Sequence, residues 1–171
     1  MPTASPSPFV AVDANVVMDL GARSDAVTDA LATIRRRLRS PRIVLTPTAT
    51  LELMHIARFG DTAKERDLAL SGMAAARQWR IVPVNLMPVD HGIVELIAGR
   101  IRSAELLPAS EVNDSQLVAE SDLLGAQLLL SSDQHLRSMD YTRLAAALQG
   151  YDLATPVIAT PAEVVRKFFQ R

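Results

Sequence analysis

The chain has 171 residues, 49% of them hydrophobic, and a net charge of -1. It is long enough for one sizeable core, and its charge argues neither for nor against a nucleic-acid partner, so any polyanion binding has to come from a local patch. It has no cysteine, which excludes disulfides, thiolate metal sites and cysteine nucleophiles. Its three histidines, His55, His91 and His135, are widely separated and do not form a zinc pattern, and the sparse aromatics (4%) argue against a surface of many base-stacking rings.

Residues 1–8, MPTASPSP, hold three prolines and neither the basic start nor the apolar centre of a signal peptide. They read as a flexible tail on a cytoplasmic protein. No run is long enough to cross a bilayer. FVAVDA reads as a buried strand. SDAVTDALATIRRRLRS opens with Ser24 and Asp25 and sets Val27, Leu31, Ile34 and Leu38 on one helical face. RIVLTP is a second strand. TATLELMHIARFG reads as a helix from Thr48 to a stop at Gly60, and DTAKERDLALSGMAAARQWR as another.

IVPVN returns to strand, and PVDHGIVELIAGRIRSAELL is a helix beginning near Pro88. After the loop PASEV come a helix, NDSQLVAESDLLG, ended by Gly125, and a strand, AQLLLSS. Two short helical pieces, DQHLRSM and YTRLAAALQG, precede the strand TPVIATP and a last helix opened by Pro161. Strands alternate with helices throughout, which predicts an α/β domain of three layers around a mainly parallel sheet, spanning residues 9–171 without a linker.

Ligands of open α/β sheets bind beyond the carboxyl ends of the strands. Asp13 sits there after the first strand, and Asp133 after LLLSS. Glu52 lies a turn into the helix that follows the second strand. Asp114 lies in the first turn of its helix and, with Leu117, Val118 and Ser121, on one inward-facing stripe. Four converging acids resist ionisation unless a cation stands among them. Oxygen donors alone suit Mg²⁺ or Mn²⁺, which in such sites activates water for phosphodiester hydrolysis. Each acid also has an ordinary reading as a helix-start or solvated residue, and it is their combination that points to a metal.

The ordered set VDANVVMD, TATLELM, NDSQLVAES and LLLSSDQHL resembles the PIN-domain nucleases over nearly the whole chain after the tail. The resemblance implies a Mg²⁺- or Mn²⁺-dependent ribonuclease acting without a covalent intermediate. On that resemblance Asp13, Asp114 and Asp133 hold metal and Glu52 completes the catalytic set. Asn15, Thr48 and a hydroxyl from Ser131 or Ser132 are supporting residues. It further implies an RNA substrate, a homodimer and, for the VapC-type toxins within the family, a separate antitoxin. The rival readings are a PIN-like module that binds RNA or protein without cutting, and a receiver-like domain, which lacks its second aspartate in VDANVV.

RRRLRSPR is the densest positive stretch. Arg35, Arg36, Arg37 and Arg39 fall away from the apolar stripe, so they are expected to face solvent, as a plain solvated face or as a contact for RNA or a partner. Glu120 and Asp122 are expected to lie outside the site, Asp122 more than two turns beyond Asp114 along the helix. Trp79, Phe168 and Phe169 are expected to pack.

Overall fold

The computed structural model describes residues 7–169. Residues 1–6 of the expected tail, and the side chains of Phe168 and Phe169, lie outside the described residues. In chain order the elements are β1 (Phe9–Val12), α1 (Ala14–Gly21), α2 (Asp25–Arg37), β2 (Arg42–Leu45), α3 (Pro47–Phe59) and α4 (Ala63–Gln78). They continue with β3 (Val82–Pro83), α5 (Pro88–Ser103), α6 (Val112–Leu123), β4 (Ala126–Leu130), α7 (Gln134–Arg137), α8 (Tyr141–Leu148), a 3₁₀ turn (Gln149–Tyr151), β5 (Val157–Ala159) and α9 (Pro161–Phe169).

The five strands form one sheet in the order β3-β2-β1-β4-β5, and every pairing is parallel. Val10, Ala11 and Val12 of the central strand are fully buried. Successive residues of a strand point to opposite faces, so burial of all three means that helices cover both faces. α1 packs on α4, α2 on α9, and α5 on α6 and α8. The register sets Val12 beside Leu45 and Leu130, Leu45 beside Pro83, and Leu130 beside Ala159. All five strands therefore stop level, along one carboxyl edge.

One helix, α1, has no counterpart in the expectations above. Val16 and Val17 weaken the helical signal of ANVVMDLG, because β-branched side chains lose rotamer freedom in a helix. Packing decides instead: Ala14, Val16, Val17 and Leu20 are buried, and α1 lies against α4 at glycine-limited range. A Cβ on Gly72 would stand 2.4 Å from the Val17 carbonyl oxygen, far inside van der Waals contact. α3 starts at Pro47 under a Thr46 cap, just before the expected Thr48, and ends at Gly60 as expected. Gly125, with φ +68°, takes the left-handed conformation after α6. No helix among the described residues is long and apolar enough to cross a membrane.

Candidate functional site

Asp13 follows β1 directly and caps α1. Its backbone is extended (φ −77°, ψ 157°), which lets Oδ1 accept a hydrogen bond from the Ala14 N–H at 2.6 Å. Oδ2 accepts from the Ser131 hydroxyl at 2.6 Å and from the Asn15 amide at 2.8 Å. The residue is 5% exposed. Burial pushes its pKa up, against the opposing pull of these bonds, and the negative charge of Asp133 adds to the rise.

Asn15 and Ser131 tie the end of β1 to the loop after β4. The Asn15 carbonyl accepts from the Ser132 N–H at 3.2 Å, and the Ser131 hydroxyl oxygen accepts from the Asp133 N–H at 3.0 Å. Of the two serine hydroxyls, Ser131 bonds the carboxylate, while Ser132 is exposed and contributes its backbone. Asp133 caps α7 through Oδ1, accepting from the N–H groups of His135 at 2.7 Å and Leu136 at 3.2 Å. Both capping bonds fall on one carboxylate oxygen.

Glu52, half-buried on α3, is pushed up by burial and then by the charges of Asp13 and Asp133. Asp114, in the first turn of α6, is pushed up to about 7 by burial, Asp133, Asp13, Glu111 and Glu52, in that order. Its Oδ2 is buried without a hydrogen-bond partner. The structure therefore brings Asp13, Glu52, Asp114 and Asp133 within electrostatic reach of one another at the carboxyl edge. Only negative charges act on Glu52 and Asp114, a cost that falls when protons or a cation arrive.

Among the described residues no three Asp, Glu or His side chains are already arranged to grip one metal ion. The acids meet at electrostatic range rather than around a finished coordination sphere. The donors nevertheless suit a hard divalent ion: all are oxygens, their repulsion is unrelieved, and the partnerless Asp114 Oδ2 is buried among them. An open cleft of about 400 Å³ lies alongside, lined by Thr48, Leu51, Glu52, His55, Asn113 and Gln116.

Two acids change standing. Glu111, at the start of α6, acts on Asp114 and stands 3.9 Å from His135 Nε2. Its place three residues before Asp114 on one helix was the sequence signal for it. Glu120 is 3% exposed, and its carboxylate is bonded to Thr48, the residue expected to support Glu52. Asp122 stands apart: it is 1% exposed, both oxygens lack partners, and burial alone pushes it up to about 7.

Arg35, Arg36, Arg37 and Arg39 are exposed, as expected, but they precede β2 and so sit at the amino edge of the sheet, away from the acids. The Arg35 guanidinium lies 5.3 Å from the Trp79 ring centroid and donates to the Trp79 carbonyl. Arg42 covers the Phe9 ring at 4.8 Å. These arginines therefore do not border the acid cluster.

Among solved structures, a chain of VapBC-1 from nontypeable Haemophilus influenzae is similar, with a TM-score of 0.57 and 14% identity over 90% of this chain and 98% of that one. At that identity the likeness is one of fold, an α/β PIN-like arrangement with an all-parallel central sheet. No family profile matches the sequence, and no curated protein does.

Proposed function

We propose that this chain is a Mg²⁺- or Mn²⁺-dependent ribonuclease of the PIN kind, in which Asp13, Asp114 and Asp133 are the metal ligands and Glu52 is the fourth catalytic acid. The observation that carries this reading is the mutual repulsion of four carboxylates, from four separate stretches of chain, at the carboxyl edge of one parallel sheet. Bound there, the ion would polarise a phosphodiester and lower the pKa of an attacking water.

The side chains supply the rest. Asn15 and Ser131 hold Asp13 Oδ2 from two sides, so the carboxylate keeps one orientation at a small cost in reorganisation. Glu52, pushed up by burial and then by the charges of Asp13 and Asp133, is the carboxylate that would take a proton from the attacking water. The cleft beside Glu52 gives a single RNA strand room to approach.

In the same reading the chain is a cytoplasmic toxin that works as a homodimer and is held by a separate antitoxin; the likeness to VapBC-1 supports the toxin–antitoxin part. The exposed apolar side chains Leu51, Met54, Met87, Val89 and Leu96 supply surface for such contacts. Purified chain, its Asp114→Asn variant and an EDTA control would each be incubated with mixed RNA and Mn²⁺. Cleavage by the unaltered chain alone is the expected result. Equal cleavage in all three sinks the metal-nuclease reading, and tight RNA binding without cleavage favours the binding-module rival.

A further inference from the structure

The Glu120 carboxyl group is buried, 3% exposed, and its hydrogen bonds come from a threonine rather than from a Lys or Arg. Its compensation comes from one residue on another helix. The Thr48 backbone N–H donates to both carboxylate oxygens, at 3.2 and 3.1 Å, and the Thr48 hydroxyl donates to Oε1 at 2.9 Å. The first N–H groups of a helix lack intrahelical partners and carry its positive end, so a carboxylate is well matched there.

The positions of the two residues give the contact its meaning. Thr48 lies four residues before Glu52 on α3, one turn away on the same side, and Glu120 lies six residues after Asp114 on α6. The contact therefore joins the two helices that carry half of the acid cluster. Beside the contact, the open cleft lined by Thr48, Glu52, Asn113 and Gln116 leaves polar side chains of both helices without close apolar neighbours on that side. An apolar pair would tolerate sliding. A carboxylate that uses both the N–H and the hydroxyl of one threonine fixes rotation and height together, since a one-residue shift of α3 would leave a buried charge unpaired.

We propose that Glu120 is a positioning residue: through Thr48 it sets the height and rotation of α3, and so where the Glu52 carboxylate stands relative to Asp114. The role rests on the nuclease reading above and extends it to residues that touch neither RNA nor metal.

The test is a double-mutant cycle on the full chain, with Glu120→Gln, Glu52→Gln and the pair, and with Thr48→Val and Thr48→Ser as a second, milder probe. Readouts are kcat and KM for RNA cleavage in Mn²⁺, Mn²⁺ affinity from the ion's own paramagnetic resonance signal, and Tm. Glu120→Gln is expected to lower kcat by about 10- to 100-fold, with KM and the folded fraction little changed. That loss should vanish when Glu52 is already Gln. Thr48→Val should lose less, and Thr48→Ser should restore it.

An equal loss from Glu120→Gln in both Glu52 backgrounds, or a fall in Tm alone, overturns the positioning role and leaves the nuclease reading standing. An unaltered chain that neither cuts RNA nor binds Mn²⁺ overturns the nuclease reading, and the positioning role falls with it.

Discussion

The two edges of the sheet hold opposite charges for different physical reasons. At the carboxyl edge, burial and then the negative charges of neighbouring acids push Asp13, Glu52 and Asp114 up, with Asp133 acting on all three. At the amino edge, Arg35 to Arg42 stand in solvent, and Arg35 and Arg42 lie over the rings of Trp79 and Phe9. A net charge of -1 conceals both clusters. Like charges spread over an exposed face cost little, because water screens them. Like charges gathered where water is scarce must be offset by something. An unrelieved cluster is therefore the more informative of the two regions.

The largest expected effect breaks the acid edge outright. Asp114→Asn should cut RNA cleavage by about a hundredfold or more, while removing one repelling charge and leaving Tm unchanged or higher. Activity assays beside thermal melts check both halves, and a variant that loses activity only by unfolding counts against the site.

Next comes a test of what offsets the repulsion. Saturating Mn²⁺, at a hundredfold over Kd, should stabilise the unaltered chain by about 2.7 kcal/mol, read as a Tm rise that EDTA reverses. Asp114→Asn should lose most of that gain, and Arg39→Ala should keep it. A Tm insensitive to Mn²⁺ would remove the metal from the reading.

A finer test uses two acids that share one value for different reasons. Asp114 and Asp122 are both pushed up to about 7, Asp114 by burial and four neighbouring acids, Asp122 by burial alone. An unfolded aspartate titrates near pH 4, so between about pH 4 and 7 the folded chain holds protons that the unfolded chain releases. The stability tied to these groups is full below pH 4 and is lost as pH rises through 7. Asp122→Asn should therefore raise Tm at pH 8 and change it little at pH 4. Carboxyl-carbon NMR should show Mg²⁺ lowering the midpoint of Asp114 and leaving that of Asp122 in place; equal shifts would mean that no ion enters the cluster.

The smallest effect belongs to the amino edge. Arg36→Ala with Arg39→Ala should change cleavage by less than about twofold and stability by less than about 0.5 kcal/mol. A large loss of RNA affinity, with a shallower salt dependence, would show that RNA reaches round to that edge.

Much of this was legible in the sequence. Periodicity marked the five strands, and in a parallel α/β chain the ends of strands and the starts of returning helices share an edge. That reasoning placed Asp13, Glu52, Asp114 and Asp133 together. It missed α1, because Val16 and Val17 speak against a helix locally and only burial against α4, across Gly72, settles the matter.

The supporting residues divide in the same way. Asn15 could be read because it lies two residues from Asp13, close enough to bond it by local geometry alone. Glu120 could not, because its partner Thr48 is 72 residues away. The sequence by itself determined the alternation of elements and the edge on which the acids fall, since both follow from local period and chain direction. The tertiary structure alone decided which serine hydroxyl meets Asp13, which acid anchors α3 and that the arginines sit on the far edge. Those outcomes depend on contacts between distant segments, and no local pattern encodes them.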